Sequence, residues 1–423
     1  MNEGKLRYYR KLKGLTQEQL AHGICSVSYL SKIENGSAQS SDNIINLLFE
    51  RLGISVEKKE KKNHEATEAL LYEWYNYTKA RNQEKALAWK EKVEAAKFSQ
   101  WPPELLSKYN LFLLRYYLLT LEIDKAEKIV KKLQQSKEHF SYELSYYYHA
   151  FLGILEFKKQ NLNGSKGHYK KAEQIGSNIG IKSTELAELY YLTALTEAGL
   201  HNQTVAIPYA SRAIKIFDEE YNFVRSADSH ILLGIIYRRI SQYQLAEDHF
   251  QKALKVTDFF SENIFDKRRK GLISHNLGYL YSCMNKSNKA IDYYLKALDL
   301  SSKDHEQNDI MTIYLLAKEY YKIQAIEEAK EWAEKGMELV EKYNDRKYCY
   351  YLKVLDHQIN KNKNEDYEEL LRNEAIPYFT ESKNWLIVAE MAQFLADYYF
   401  EKFQYKSASE YYRLVIDAKE KVV

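Results

Sequence analysis

Residues 274–298, SHNLGYLYSCMNKSNKAIDYYLKAL, repeat in altered form what residues 231–254, ILLGIIYRRISQYQLAEDHFQKAL, have already spelled. Each stretch carries Leu-Gly, a tyrosine three residues after the glycine, an alanine nine after that, an aromatic four later and an alanine three further on. In the second copy these are Gly278, Tyr281, Ala290, Tyr294 and Ala297; in the first, Gly234, Tyr237, Ala246, Phe250 and Ala253. Small residues at these offsets let two antiparallel helices approach closely, and the aromatics fill the space between one hairpin and the next. A unit of this kind cannot bury its apolar face alone, so the pattern predicts a stack of hairpins.

Weaker copies keep the same offsets. The small position early in the second helix falls at Ala126, Ser165, Ala206, Ala246, Ala290, Ala329 and Ala408, with a degenerate unit around Tyr367 and another around Ala86. That gives about nine repeats, each longer than the roughly 34 residues usual for tetratricopeptide repeats, whose pattern this is. Only four prolines interrupt 423 residues, which permits helix almost everywhere. The fold expected is all-α: an N-terminal helix-turn-helix domain (1–56), a charged linker or helix extension (57–66), and a right-handed tetratricopeptide-repeat superhelix (67–423). Most of the 38 tyrosines are read as packing between helices.

Composition narrows the function classes. A formal charge of +3 makes no polycation, so any nucleic-acid contact must be a local patch. Cys25, Cys283 and Cys349 show neither zinc-ligand spacing nor a disulfide framework, which suits a reducing cytoplasm. No apolar run approaches a membrane span. No Gly-rich phosphate loop, metal spacing or nucleophile–base constellation is present, so no catalytic residue, metal or cofactor is expected.

The head is a different kind of sequence. In LTQEQLAHGICSVSYLSKIENG (15–36), Thr16 and Gln19 form a capping box, Ser26 caps a further helix, and Asn35-Gly36 end it. A helix over Glu3–Lys13 should turn Leu6, Tyr9 (or the aliphatic stem of Arg10) and Leu12 inward, and one after Ser41 and Asp42 should do so with Ile44, Leu47, Leu48 and Leu52. Leu20, Ile24, Leu30 and Ile33 would pack behind two short helices joined by a tight turn. The polar face of the third helix is then free to enter a major groove. DNA contacts are expected from Gln17, placed for a phosphate, and from Ser26, Val27, Ser28, Tyr29, Lys32 and Asn35, with Lys5, Arg7, Arg10, Lys11 and Lys13 as a basic flank. GLTQEQLA followed by SYLSKIENG resembles the Xre/Cro-type helix-turn-helix of bacterial repressors. Its short turn with Cys25 resembles that of the PlcR branch of quorum-sensing regulators.

Counting within the repeats places His275, Asn276 and Tyr279 on the face that would line the superhelix groove. Ile231, Ile235, Arg238, Tyr314, Lys318, Tyr321, Arg115 and Tyr191 fall on the same track. An asparagine amide both donates to and accepts from a peptide backbone, which makes Asn276 the leading candidate for holding an extended ligand. The peptide-binding set is Asn276, His275, Tyr279, Arg238, Tyr191, Tyr314, Lys318 and Arg115. Head and repeats together resemble the peptide-sensing quorum-sensing family that contains Rap, NprR, PlcR and PrgX, with length and repeat number nearest the NprR branch. The resemblance implies a cytoplasmic regulator whose partners are a double-stranded DNA operator, a short reimported signalling peptide and further copies of itself in a homodimer or higher oligomer. It also implies an alternative, a Rap-like capture of a response regulator of the sporulation phosphorelay when peptide is absent.

Overall fold

In a computed structural model the structure describes residues 5–35, 38, 40–54, 58–95, 101–259, 267–301, 303–361 and 364–421. Two units emerge, residues 1–236 and 237–423. The head comprises α1 (Lys5–Leu12), α2 (Gln17–Ala21), α3 (Val27–Glu34) and α4 (Asp42–Arg51). Four hairpins follow in the first unit: α5/α6 (Lys58–Lys79, Gln83–Glu94), α7/α8 (Pro103–Leu119, Ile123–Gln134), α9/α10 (Tyr142–Lys158, Leu162–Gly176) and α11/α12 (Ser183–Gly199, Gln203–Glu219). The division falls within α13 (Phe223–Arg239), which is followed by α14 (Tyr243–Phe259). Beyond it lie α15/α16 (Lys267–Cys283, Ser287–Asp299), α17/α18 (Ile310–Lys322, Ile326–Tyr343), α19 (Arg346–Ile359) with α20 (Glu365–Glu369) and α21 (Ile376–Glu381), and α22/α23 (Trp385–Glu401, Tyr405–Glu420). No strand occurs among the described residues. The interval 57–66 is helical from Lys58 onward.

The repeat register is visible in burial. Ala86, Ala126, Ser165, Ala206, Ala246, Ala290 and Ala329 are fully buried, and Ala408 and Tyr367 nearly so. Each hairpin turn carries one non-glycine residue with φ between 54° and 63°: Arg81, Leu121, Gln160, His201, Ser241, Asn285, Gln324, Lys361 and Phe403. In most turns the next N–H bonds the carbonyl five residues back, as Glu122 N–H does to Tyr117 O at 2.9 Å and Lys286 N–H to Tyr281 O at 2.9 Å. This closure caps the first helix without glycine or proline, at a cost of about 1–2 kcal/mol per left-handed residue. It explains how so helical a chain turns with so few breakers.

The degenerate repeat has a local cause. Pro377 cannot donate to the carbonyl of Asn373, and its ring crowds that carbonyl. The helix widens just before it into a π segment, Leu370–Ala375, with Ile376 N–H reaching Leu371 O.

The apolar cores follow the hairpins. One, in the first unit, gathers Trp74, Phe112, Tyr147 and Phe151 with Tyr8 of the head; one in the second unit gathers Leu352, Tyr367, Leu395 and Tyr398. The head has its own, with Leu6, Leu20, Leu30, Ile33, Ile45, Leu48, Phe49 and Leu52. Ile24 packs at its edge. Two inward assignments on the head are corrected: Leu12 and Leu47 are 43% and 49% exposed, because Tyr8 and Ile45 take the inward positions on their helices. Tyr9 is half-buried against the Phe49 ring, and Gly36 lies outside the described residues.

Gly278 shows why the repeat needs a glycine there. A Cβ at this position would lie 2.6 Å from Tyr294 Cδ1, deep in the α15/α16 hairpin. Gly278→Ala is therefore expected to cost about 1–3 kcal/mol through overpacking, read as a lowered denaturant midpoint. A midpoint unchanged from wild type would contradict this packing.

Candidate functional site

The head is built around one buried ion pair. Arg10 Nε and Nη2 donate to Glu34 Oε1 and Oε2 at 2.6 and 2.8 Å, and Arg10 Nη1 donates to Leu15 O at 2.9 Å. Gln17 Nε2 donates to the same Glu34 Oε2 at 2.8 Å. The guanidinium and the amide together tie α1 and α2 to the end of α3. Gln17 is thus engaged in positioning α3 through one of the two N–H donors of its amide. Ser26 is the α3 cap, accepting from Tyr29 N–H at 3.2 Å, while Thr16 and Gln19 make the capping box.

The other residues expected to meet DNA lie on α3 or at its ends. Val27, Ser28 and Lys32 are exposed, and Tyr29 and Asn35 are half-buried. The basic flank is partly used for other work: the Arg7 guanidinium lies 3.4 Å from the centroid of the Tyr142 ring, and Lys11 Nζ donates to Glu138 O at 3.1 Å. These contacts seat the head on α9 and the turn before it. Burial pushes the Cys25 thiol up, which leaves it a protonated packing group.

On the repeats of the first unit, Arg115 and Tyr191 sit in a buried charged cluster. Arg225 donates to Glu188 Oε2 through Nε at 2.9 Å and Nη2 at 2.5 Å, and through Nη1 to Asp228 at 2.8 Å. Its guanidinium lies 4.3 Å from the Tyr191 ring centroid. Arg115 Nη2 is 3.9 Å from Glu188 Oε1, an oxygen with no hydrogen bond. Burial alone would raise the Glu188 carboxyl, but Arg225, Arg115 and Arg81 together hold it below its ordinary 4.5. Arg115 and Tyr191 are therefore buried members of a network whose other members, Arg225, Glu188 and Asp228, composition and counting did not single out.

A carboxyl held low in the fold contributes stability that is complete above its unfolded value and is lost as pH falls through the folded one. The melting temperature is thus expected to fall steeply below about pH 4.5, and Glu188→Gln should flatten part of that limb. An identical acid limb in the variant would contradict the assignment.

In the second unit the six candidates lie on α13, α15 and α17. The Arg238 guanidinium stacks 3.9 Å from the Tyr279 ring centroid, and its Nε is buried with no hydrogen-bond partner. His275 Nδ1 is 2.9 Å from Thr312 Oγ1. Burial, then Arg238, pushes His275 down to about 4, so the ring is neutral near pH 7. The Tyr314 ring meets that of Tyr351 at 4.9 Å, Tyr351 OH donates to Glu390 Oε2 at 2.9 Å, and Lys318 Nζ reaches Glu390 Oε1 at 3.4 Å. Asn276 is 6% exposed, and its Nδ2 donates to Leu272 O at 2.8 Å, one turn back on its own helix. That bond engages half of the amide chemistry for which Asn276 was singled out. Tyr348 and Tyr351 were missed, since they belong to the degenerate repeat, where counting by offset gives no register; Glu390, in the repeat marked by Ala408, was not singled out.

A helix-turn-helix model matches residues 6–59, and a tetratricopeptide-repeat model matches 273–304 and 389–422. The transcriptional activator NprA of Geobacillus stearothermophilus is 33% identical over 93% of this chain and 97% of its own. The chain belongs to the NprA family. Among solved structures, the apo form of the quorum sensor NprR from B. thuringiensis shares the fold at TM-score 0.74 and 23% identity, covering 84% of this chain and 99% of NprR. NprR in complex with its cognate peptide NprX shares it at TM-score 0.61 and 23% identity, covering 87% of this chain and all of NprR.

Proposed function

We propose that this NprA-family chain is a cytoplasmic, peptide-responsive transcription regulator without enzymatic activity. Its head binds duplex DNA through the exposed face of α3, and a short extended peptide binds along the first helices of its repeats. The observation that carries the reading is the joining, in one chain, of a helix-turn-helix whose third helix exposes Val27, Ser28 and Lys32 to a repeat surface with a bare buried donor at Arg238. NprR, which shares the fold, has been solved with a cognate peptide, and that supports a peptide as the ligand here.

The coupling is a population shift. A peptide moves the protein between two arrangements only by its differential affinity for them, and a near-complete switch requires about 5.5 kcal/mol. Nearest-neighbour stacking lets a change in one hairpin interface pass to the next. Homodimers or larger assemblies, reading half-sites about one helical turn apart, are part of the same proposal. The domains implied are the head at 1–56 and the repeats at 67–423.

Ser28→Ala with Lys32→Ala tests the head. Loss of one base-edge contact and one cationic contact should weaken binding to selected duplex fragments about tenfold or more, with the fold and peptide binding retained. Wild-type affinity in an anisotropy titration would overturn the assignment of α3.

A further inference from the structure

A cavity of about 750 Å3 opens in the first unit over α8, α9 and α10. Its floor is apolar, with Val130, Phe140, Tyr148, Leu152 and Leu155. At its wall the Nδ1 atoms of His149 and His168 face each other at 3.0 Å. One ring must donate and the other accept, so this contact holds a single proton. Burial, then His168, Lys171 and Lys137, pushes His149 down to about 4, and burial with Lys171 lowers His168 against the pull of Glu156. The pair is neutral near pH 7.

The charges around that pair are unevenly matched. Of the acids on the lining, Glu127 is bound by Lys159 at 2.7 Å and Glu156 accepts from Asn161 Nδ2 at 2.6 Å. Lys131 on α8, Lys137 in the turn Lys137–His139, and Lys171 on α10 make no ion pair within 4 Å among the described residues. Glu138 completes the acidic side. Three unpaired ammonium groups from three elements thus line a cavity that also offers an aromatic floor and a proton-sharing imidazole pair.

We propose that this cavity binds a phosphorylated small molecule of nucleotide size, its phosphoryl oxygens on Lys131, Lys137 and Lys171 and its planar body against Tyr148 and Phe140. Lysines hold phosphate as mobile point charges, without the loop of backbone donors that the sequence lacks. The volume lies in the range of about 300–1,000 Å3 usual for small-molecule sites. The same turn that carries Lys137 touches the head, where Lys11 Nζ binds Glu138 O, and Tyr142 just beyond it holds Arg7. Occupancy that draws Lys137 inward therefore bears on the seat of the DNA-binding head, which makes the cavity a second effector site built from residues other than those of the peptide surface.

Calorimetry on the full chain with AMP, ATP and inorganic phosphate tests this. Both nucleotides are expected to bind with Kd below about 1 mM, inorganic phosphate at least about tenfold more weakly, and Lys137→Glu with Lys171→Glu to lose about tenfold or more of nucleotide affinity. The milder Lys131→Ala with Lys171→Ala serves if the charge reversals lower the melting temperature. On nucleotide binding the His149 ring should titrate at a higher pH by NMR. Absence of binding by either nucleotide at about 1 mM, affinity unchanged in the variants, or inorganic phosphate binding as tightly as AMP would each overturn the proposal.

Discussion

Glu34→Ala is expected to abolish operator binding. The substitution leaves the Arg10 guanidinium buried without its carboxylate and releases Gln17 from the end of α3. Removing one member of a buried ion pair costs about 3–5 kcal/mol, because the remaining charge stays desolvated. The head is small, and a loss of that size is comparable to the whole stability of a domain with so little core. The repeats' cores draw only Tyr8 from the buried residues of the head, so they should remain folded. Two thermal transitions in place of one, with the lower belonging to the head, would be the signature in calorimetry. Arg10→Met together with Glu34→Leu removes both charges at once and should recover most of the stability, since an apolar pair of similar volume is often neutral. If Glu34→Ala binds DNA as wild type does, the ion pair is not what holds α3 in place.

Arg238→Ala with Tyr279→Ala is expected to reduce peptide affinity by about a hundredfold, the size of a hot spot centred on an arginine and an aromatic. Arg238 is stacked at 3.9 Å on Tyr279 with a buried Nε that has no acceptor, and such a donor gains a full hydrogen bond when a peptide carbonyl or carboxylate arrives. Operator binding in the absence of peptide should be unchanged. Asn276→Ala is expected to cost less, because Asn276 Nδ2 already donates to Leu272 O. A calorimetric titration in which Asn276→Ala is the more damaging of the two would reverse the ranking of these residues.

Much of this was legible from residue order. The offsets from Gly278 to Ala297 fixed the hairpin register because close approach between helices tolerates only small residues, and burial of the whole series from Ala86 to Ala408 follows from it. The capping box at Thr16 and Gln19 and the cap at Ser26 were legible for the same reason: they are local. Long-range pairing was not. Nothing within a few residues of Gln17 announces that Glu34, seventeen positions on, will take its amide, and nothing near Arg115 announces Glu188 or Arg225. Periodicity says which face of a helix a residue occupies, and it does not say which charge will be waiting there. The π segment before Pro377 likewise hid the register of the degenerate repeat, and with it Tyr351.

The account rests on the claim that a short peptide held by the repeats alters the grip of the head on DNA. Its most direct test is an anisotropy titration of the full chain on a selected operator, with and without the short peptides encoded beside its gene, in the wild type and in the Arg238→Ala, Tyr279→Ala variant. One peptide should shift the wild-type operator affinity by at least about fivefold, the lower end of an allosteric coupling, and leave the variant unmoved. An operator curve identical at every peptide concentration, or a shift of the same size in both proteins, would contradict it.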